Sequence, residues 1–137
     1  MQNRIYEPLP LEKIISALSY LTMGIVGFVW LLLGAILKLG LRPYLRYHIY
    51  QSIFLSFTFF ILSLALDLIL GILSYIPFLG SLISTLTFLI ATPLVGTFSI
   101  LNIIFGLFML YLIITSATGK LTYVPWVSNI IKININY

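Results

Sequence analysis

Arg42-Pro43-Tyr44-Leu45-Arg46-Tyr47-His48-Ile49-Tyr50-Gln51-Ser52 separates two long apolar runs. It gathers cations, the sole histidine, a glutamine and three tyrosines into a chain that is otherwise largely hydrocarbon. A polar and aromatic cluster in that position marks where a chain leaves a bilayer interior and which polar groups it keeps at the boundary. Pro43 suits the first turn of a helix, and neither proline nor glycine follows until Gly71. A helix from Tyr44 to Leu73 would run about 45 Å at ~1.5 Å per residue, longer than a hydrocarbon layer of ~30 Å. Its first two turns are therefore assigned to the headgroup region and its span to residues 47–73.

Composition extends this reading to the whole chain. Of 137 residues, 61% are hydrophobic and 7% charged, with a mean hydropathy of +1.17. Soluble domains carry about a quarter charged residues, so an all-α, multi-pass integral membrane protein is expected. At roughly 20 to 25 residues per tilted helix plus turns, the length accommodates about four spans in a single membrane domain, 1–137. The absence of cysteine rules out disulfides, thiolate metal sites and thiol nucleophiles. A net charge of +4 on cations that flank spans, with no basic face, points to lipid headgroups and not to nucleic acid.

Upstream of the cluster, Pro8-Leu9-Pro10 bars regular helix at the start, and Leu11 to Lys13 lead into a span at 14–37 ending near Lys38-Leu39-Gly40. That run is too long for a signal-peptide core and is expected to stay in the mature protein. Gly24, Gly27 and Gly34 recur at helical offsets, a candidate face for close helix packing. Downstream, Ser74-Tyr75-Ile76-Pro77-Phe78-Leu79-Gly80 is an uncharged break. The apolar run from Phe78 to Ser116 divides at Thr92-Pro93 and Gly96-Thr97. The first part, 78–92, is about 22 Å as a helix, a short span or a re-entrant segment. Pro93 opens a last span, 94–118, stopped by Gly119-Lys120. Tyr123, Pro125 and Trp126 then suit an interfacial aromatic belt. Four spans put Arg4, Lys13, Lys120 and Lys132 on one side and Lys38, Arg42 and Arg46 on the other, favouring cytoplasm-side termini, whereas three spans would put the connector beside the C-terminal tail.

Catalysis needs titratable groups within mutual reach, and the candidates are few: Glu7, Glu12, Asp67 and His48. Glu7 and Glu12 read as solvated boundary residues. Ser81 with His48 would suit an intramembrane serine protease, but one neighbouring glycine is the whole motif. A lone histidine without cysteine or a nearby acid makes no metal site. The chain is thus read as neither an enzyme nor a cofactor or metal carrier. Asp67 is the one acid inside an apolar run: a proton or ion site, or a boundary residue near the end of its helix. Asn102, with Gly106 one turn on, is a candidate interhelical donor. At 100° per residue, Arg42, Arg46 and Tyr50 share one side of their helix, while Tyr44, His48 and Gln51 share the other. The arginines suit headgroup anchors, and His48 with Gln51 either lines a wet vestibule or caps another helix.

Residues 42–53, closing with Gln51-Ser52-Ile53, resemble the basic-aromatic-polar-Gln-small signature that opens the second helix in the twenty-kilodalton subunit family of the translocon at the inner envelope of chloroplasts (Tic), which includes cyanobacterial homologues. Gly119-Lys120-Leu121-Thr122-Tyr123-Val124-Pro125-Trp126-Val127-Ser128 is similar to that family's Gly-Lys and aromatic-aliphatic-Pro elements after the last span. Ile14-Ile15-Ser16-Ala17-Leu18-Ser19-Tyr20-Leu21 is similar to its first span. The connector between the first two spans is briefer here than in plant members. The resemblance implies a four-helix channel-like or core translocon subunit in a plastid inner envelope or a bacterial plasma membrane. Its partners would be the bilayer, other translocon or membrane subunits, and transiting preproteins. Two other functions compete: a small ion or solute transporter using Asp67 and His48, and a membrane structural or assembly factor.

Overall fold

In a computed structural model, residues 7–91 and 99–135 are described. The described elements are helical: α1 (Pro10–Leu21), α2 (Ile25–Ile36), α3 (Pro43–Ser74), α4 (Gly80–Ala91), α5 (Ile100–Ala117) and α6 (Val127–Ile135). Of these, α3 and α5 are long and apolar enough to cross a membrane. Only 6% and 17% of their most apolar stretches are buried, unlike the core helices of a soluble protein, and this points to membrane integration. Arg4, the breaks at Thr92-Pro93 and Gly96-Thr97, and the side chain of Lys132 lie outside what is described.

The chain divides into two units, one taking in residues up to Phe57 together with Met109 onward, the other Thr58–Phe108. In the first, the stretch expected as a single span over 14–37 is two helices of 12 residues each. Pro10 takes the first helical position of α1, and Glu12 Oε2 accepts the Leu9 N–H at 2.9 Å. The helix ends in a Schellman turn: Met23 N–H donates to Tyr20 O (3.1 Å) and Gly24 N–H to Ser19 O (2.7 Å). Met23 and Gly24 both have positive φ, 51° and 87°. Gly24 caps α2, and a Cβ there would stand 2.9 Å from Ile53 Cα. Left-handed backbone and a close neighbour together leave room for glycine alone.

Contacts with α3 give the hairpin its direction. Glu12 meets Arg42, Ser19 meets Ser52 and Gly24 meets Ile53, so α1 runs parallel to the head of α3. Gly27 faces Ile49 and Gly34 faces Leu41, so α2 returns antiparallel to it. Ile15, Leu45 and Ile49 form the apolar centre, with Trp30, Leu31, Leu41 and Ile53 packed around them. The stop after α2 also differs from expectation. Lys38 (φ 52°), not Gly40, adopts the left-handed conformation, and Leu39 N–H closes the turn on Gly34 O at 2.9 Å. Gly119 (φ 81°) ends α5 as expected, with Lys120 N–H bonded to Thr115 O at 3.1 Å. A Cβ on Gly119 would meet Lys13 Cε at 2.8 Å, which sets the end of α5 beside the start of α1.

In the second unit, the uncharged break becomes a tight turn, with Leu79 and Gly80 N–H both donating to Ile76 O. Ser99 caps α5 through its Oγ and carbonyl, and the expected opening of that span at Pro93-Leu94 lies outside the described residues. Phe59 stacks on Phe105 with centroids 3.8 Å apart. Phe60, Leu64, Leu68, Ile72 and Phe88 are exposed.

Candidate functional site

The polar residues at the head of α3 turn inward. Tyr44, Tyr47, His48, Gln51, Ser52 and Leu55 are all buried, recurring at intervals of three and four along one helical face. Arg42 and Tyr50 are exposed, and Arg46 is half-buried. Three other segments of the first unit supply partners for the buried face: α1, the end of α5, and the strap of chain leading into α6.

Gln51 is the centre of the arrangement. Its Nε2 donates to Thr122 O at 3.1 Å and more weakly to Ser128 Oγ at 3.4 Å. Its Oε1 accepts the Tyr20 hydroxyl at 2.8 Å. The Thr122 carbonyl can only accept, so it fixes which end of the amide is which. With its proton committed to Gln51, Tyr20 presents a lone pair to His48 Nδ1 at 2.9 Å, which makes Nδ1 the protonated ring nitrogen. His48 Nε2 is buried without a hydrogen-bond partner among the described residues. The imidazole is boxed edgewise by Tyr20, Tyr44 and Tyr47, with ring centroids 5.8, 4.6 and 5.5 Å away.

The other tyrosines reach further along the strap. Tyr47 Oη contacts Ser128 Oγ at 2.6 Å and Thr122 O at 3.0 Å. Ser128 Oγ also accepts Val124 N–H at 2.7 Å. Tyr44 donates to Ser116 O at 2.6 Å. On the other flank Ser19 and Ser52 pair through their hydroxyls, and Ser52 donates to Ile49 O. Tyr20, His48, Gln51, Ser52 and Ser128 are buried to 1% exposure or less. Each net bond of this kind contributes about 1 kcal/mol, and each buried group deprived of its partner costs about 1–3 kcal/mol. Chemically the cluster is a fastener: its hydroxyls and amide are engaged with one another and with backbone carbonyls.

Of the other residues singled out from sequence, Arg42 Nε stands 3.6 Å from Glu12 Oε1, with the arginine side chain 51% exposed and the glutamate 9%. Glu12 is therefore not the solvated boundary residue expected. Its carboxylate is buried because the Leu9 amide and the Arg42 guanidinium both serve it. Gly24, Gly27 and Gly34 lie against Ile53, Ile49 and Leu41. Gly24 belongs to the turn and the other two to α2. Asp67 and Asn102 lie in the second unit and are exposed. Among the described residues no three His, Asp or Glu side chains come together.

Nothing in the sequence alone singles out Tyr20, Tyr47, Ser116, Thr122 or Ser128 one by one. The spacing of Tyr44, Tyr47, His48 and Gln51 is itself a legible polar face. The roles of Ser116 and Thr122 rest on backbone carbonyls, which leave no trace in residue type. Compared with protein-family models, curated proteins and solved structures, the chain matches none.

Proposed function

We propose that this chain is a multi-pass, membrane-embedded component of a protein-translocation machinery, a channel-like or core translocon subunit of a plastid inner envelope or a bacterial plasma membrane. The observation that carries the reading is a convergence. The stretches that resemble the twenty-kilodalton Tic family, 14–21, 42–53 and 119–128, lie far apart in sequence but share one buried hydrogen-bonded knot through Tyr20, Tyr47, His48, Gln51, Thr122 and Ser128. The residues of these stretches serve one another's hydrogen bonds across the three segments, which supports reading them as parts of one element. Under this reading α3 and α5 are crossing helices, with α4, about 18 Å long, a partial one. The exposed apolar faces of all three contact lipid or neighbouring subunits. The knot fixes the C-terminal strap to the end of α1 and the head of α3, giving partner subunits and transiting preproteins a rigid frame.

The test is a stalled-precursor experiment in membrane vesicles from the source. A precursor halted by a folded C-terminal domain should photo-crosslink to a reactive residue placed at Phe54 or Phe60, and depletion of the chain should slow precursor translocation severalfold. Unchanged translocation after depletion, with no crosslink at either position, would eliminate the proposal.

A further inference from the structure

We propose that α1 and α2 form a re-entrant hairpin that enters and leaves the membrane on one side, and that the end it shares with the head of α3 and the tail of α5 docks on anionic lipid headgroups through Lys13, Lys38, Arg42, Arg46 and Lys120. Only the membrane part of the function proposed above is needed for this.

The first observation is direction. Because α1 runs along α3 from Arg42 to Ile53 and α2 runs back from Ile49 to Leu41, the residues before α1 and after α2 sit at the same level. Each helix has 12 residues, about 18 Å, too short for a ~30 Å hydrocarbon layer.

The second observation is the tip. A turn inside hydrocarbon must satisfy its own backbone groups, because water is absent there. Between Thr22 and Val26 every N–H has an internal acceptor. Thr22 donates to Leu18 O, Met23 to Tyr20 O, Gly24 to Ser19 O and Ile25 to Thr22 O, while Val26 donates to Thr22 Oγ1. The tip carries no charge, and Leu21, Met23 and Ile25 are exposed. Outward faces of the hairpin are apolar as well: Ile14 and Leu18 on α1, Phe28, Leu32 and Ile36 on α2.

The third observation is charge. Lys13 lies over Gly119 and Glu12 holds Arg42. Lys38 follows the return of α2, Lys120 follows Gly119, and Arg46 is one turn into α3. A four-span topology would split these cations between two sides, whereas the hairpin gathers them at one. The Thr58–Phe108 unit has neither lysine nor arginine. Short segments rich in Lys and Arg face the cytoplasm-like side, and the leaflet there is anionic.

The chain has no cysteine, so single cysteines can be introduced directly into the full-length protein. In vesicles of both orientations treated with a membrane-impermeant maleimide, Leu11→Cys, Leu39→Cys and Leu121→Cys should react from the same side, and Met23→Cys from neither. Reaction of Leu11→Cys and Leu39→Cys from opposite sides overturns the hairpin, as does reaction of Met23→Cys from the far side. For the lipid, the protein in mild detergent is equilibrated with equal amounts of phosphatidylglycerol and phosphatidylcholine. Retained lipid should be enriched severalfold in phosphatidylglycerol, and Lys38→Gln and Lys120→Gln, both at exposed positions, should each reduce that enrichment, by at most about fivefold. Equal retention of the two lipids overturns the docking assignment and transfers the cations to an acidic protein partner. Release of the whole chain by alkaline carbonate would overturn the membrane reading itself, a result distinct from either failure above.

Discussion

Gln51 shows how one side chain can bind distant segments. Its amide offers two donors and an acceptor in fixed geometry, and it spends them on a carbonyl of the strap and a hydroxyl of α1. Gln51→Leu keeps the volume but leaves the Thr122 carbonyl and the Tyr20 hydroxyl short of partners. It should cost about 2–4 kcal/mol, following the penalty for buried groups left unsatisfied, read as a lowered midpoint in thermal unfolding in detergent. Tyr47→Phe removes the hydroxyl shared by Ser128 and Thr122 and should cost about 1–2 kcal/mol. Exposed Tyr50, one turn along the same helix, is the control, and Tyr50→Phe should stay within about 0.5 kcal/mol of the parent. Equal effects at Tyr47 and Tyr50 would mean that the knot does not stabilise the first unit. Sequence periodicity separated Arg42, Arg46 and Tyr50 from Tyr44, His48 and Gln51, and the structure keeps that sidedness. It gave no warning that Glu12 would be buried, because the two groups that serve its carboxylate are a backbone amide next door and an arginine thirty positions away.

At the scale of elements, the turn at Thr22–Gly24 decides the arrangement. Gly24→Ala puts a Cβ into left-handed backbone and against Ile53 Cα. It should lower stability by at least about 1–2 kcal/mol. Gly40→Ala meets nothing within 4 Å and should be neutral or stabilising by up to about 1 kcal/mol, because it restricts only the unfolded chain. Parallel unfolding measurements on the two variants check the pair, and a neutral Gly24→Ala would remove the close approach of hairpin and α3. Met23 holds φ 51° without being glycine. Met23→Gly should therefore gain up to about 1 kcal/mol by relieving left-handed strain, seen as a raised midpoint in the same assay. Hydropathy could not reveal this turn. Ile14 to Leu37 is uncharged and predominantly apolar, and a run that is equally at home in one helix or two contains no local mark of the reversal beyond Thr22 and Gly24, residues that membrane helices also tolerate.

For the molecule as a whole, the 32 residues of α3 make a helix of about 48 Å, long enough to cross a ~30 Å layer with its first turns at the headgroups. Cysteines placed at Leu41 and Tyr75 should therefore react with an impermeant maleimide from opposite sides, and reaction from a single side would exclude α3 as a crossing helix. Composition, proline placement and period were sufficient for the all-helical character, for the position of α3 and for a polar start to that helix. These properties add up residue by residue: transfer free energy and helical spacing are local and need no knowledge of what comes to lie alongside. Only the tertiary structure decided that 14–37 doubles back, that Glu12 is buried against Arg42, and that Gln51 and Tyr47 close on the strap at Thr122 and Ser128. Those outcomes depend on which backbone carbonyls and helix faces come within about 3 Å of one another. Every residue has a carbonyl, so the chain's own path, and no letter of its sequence, selects the one that matters.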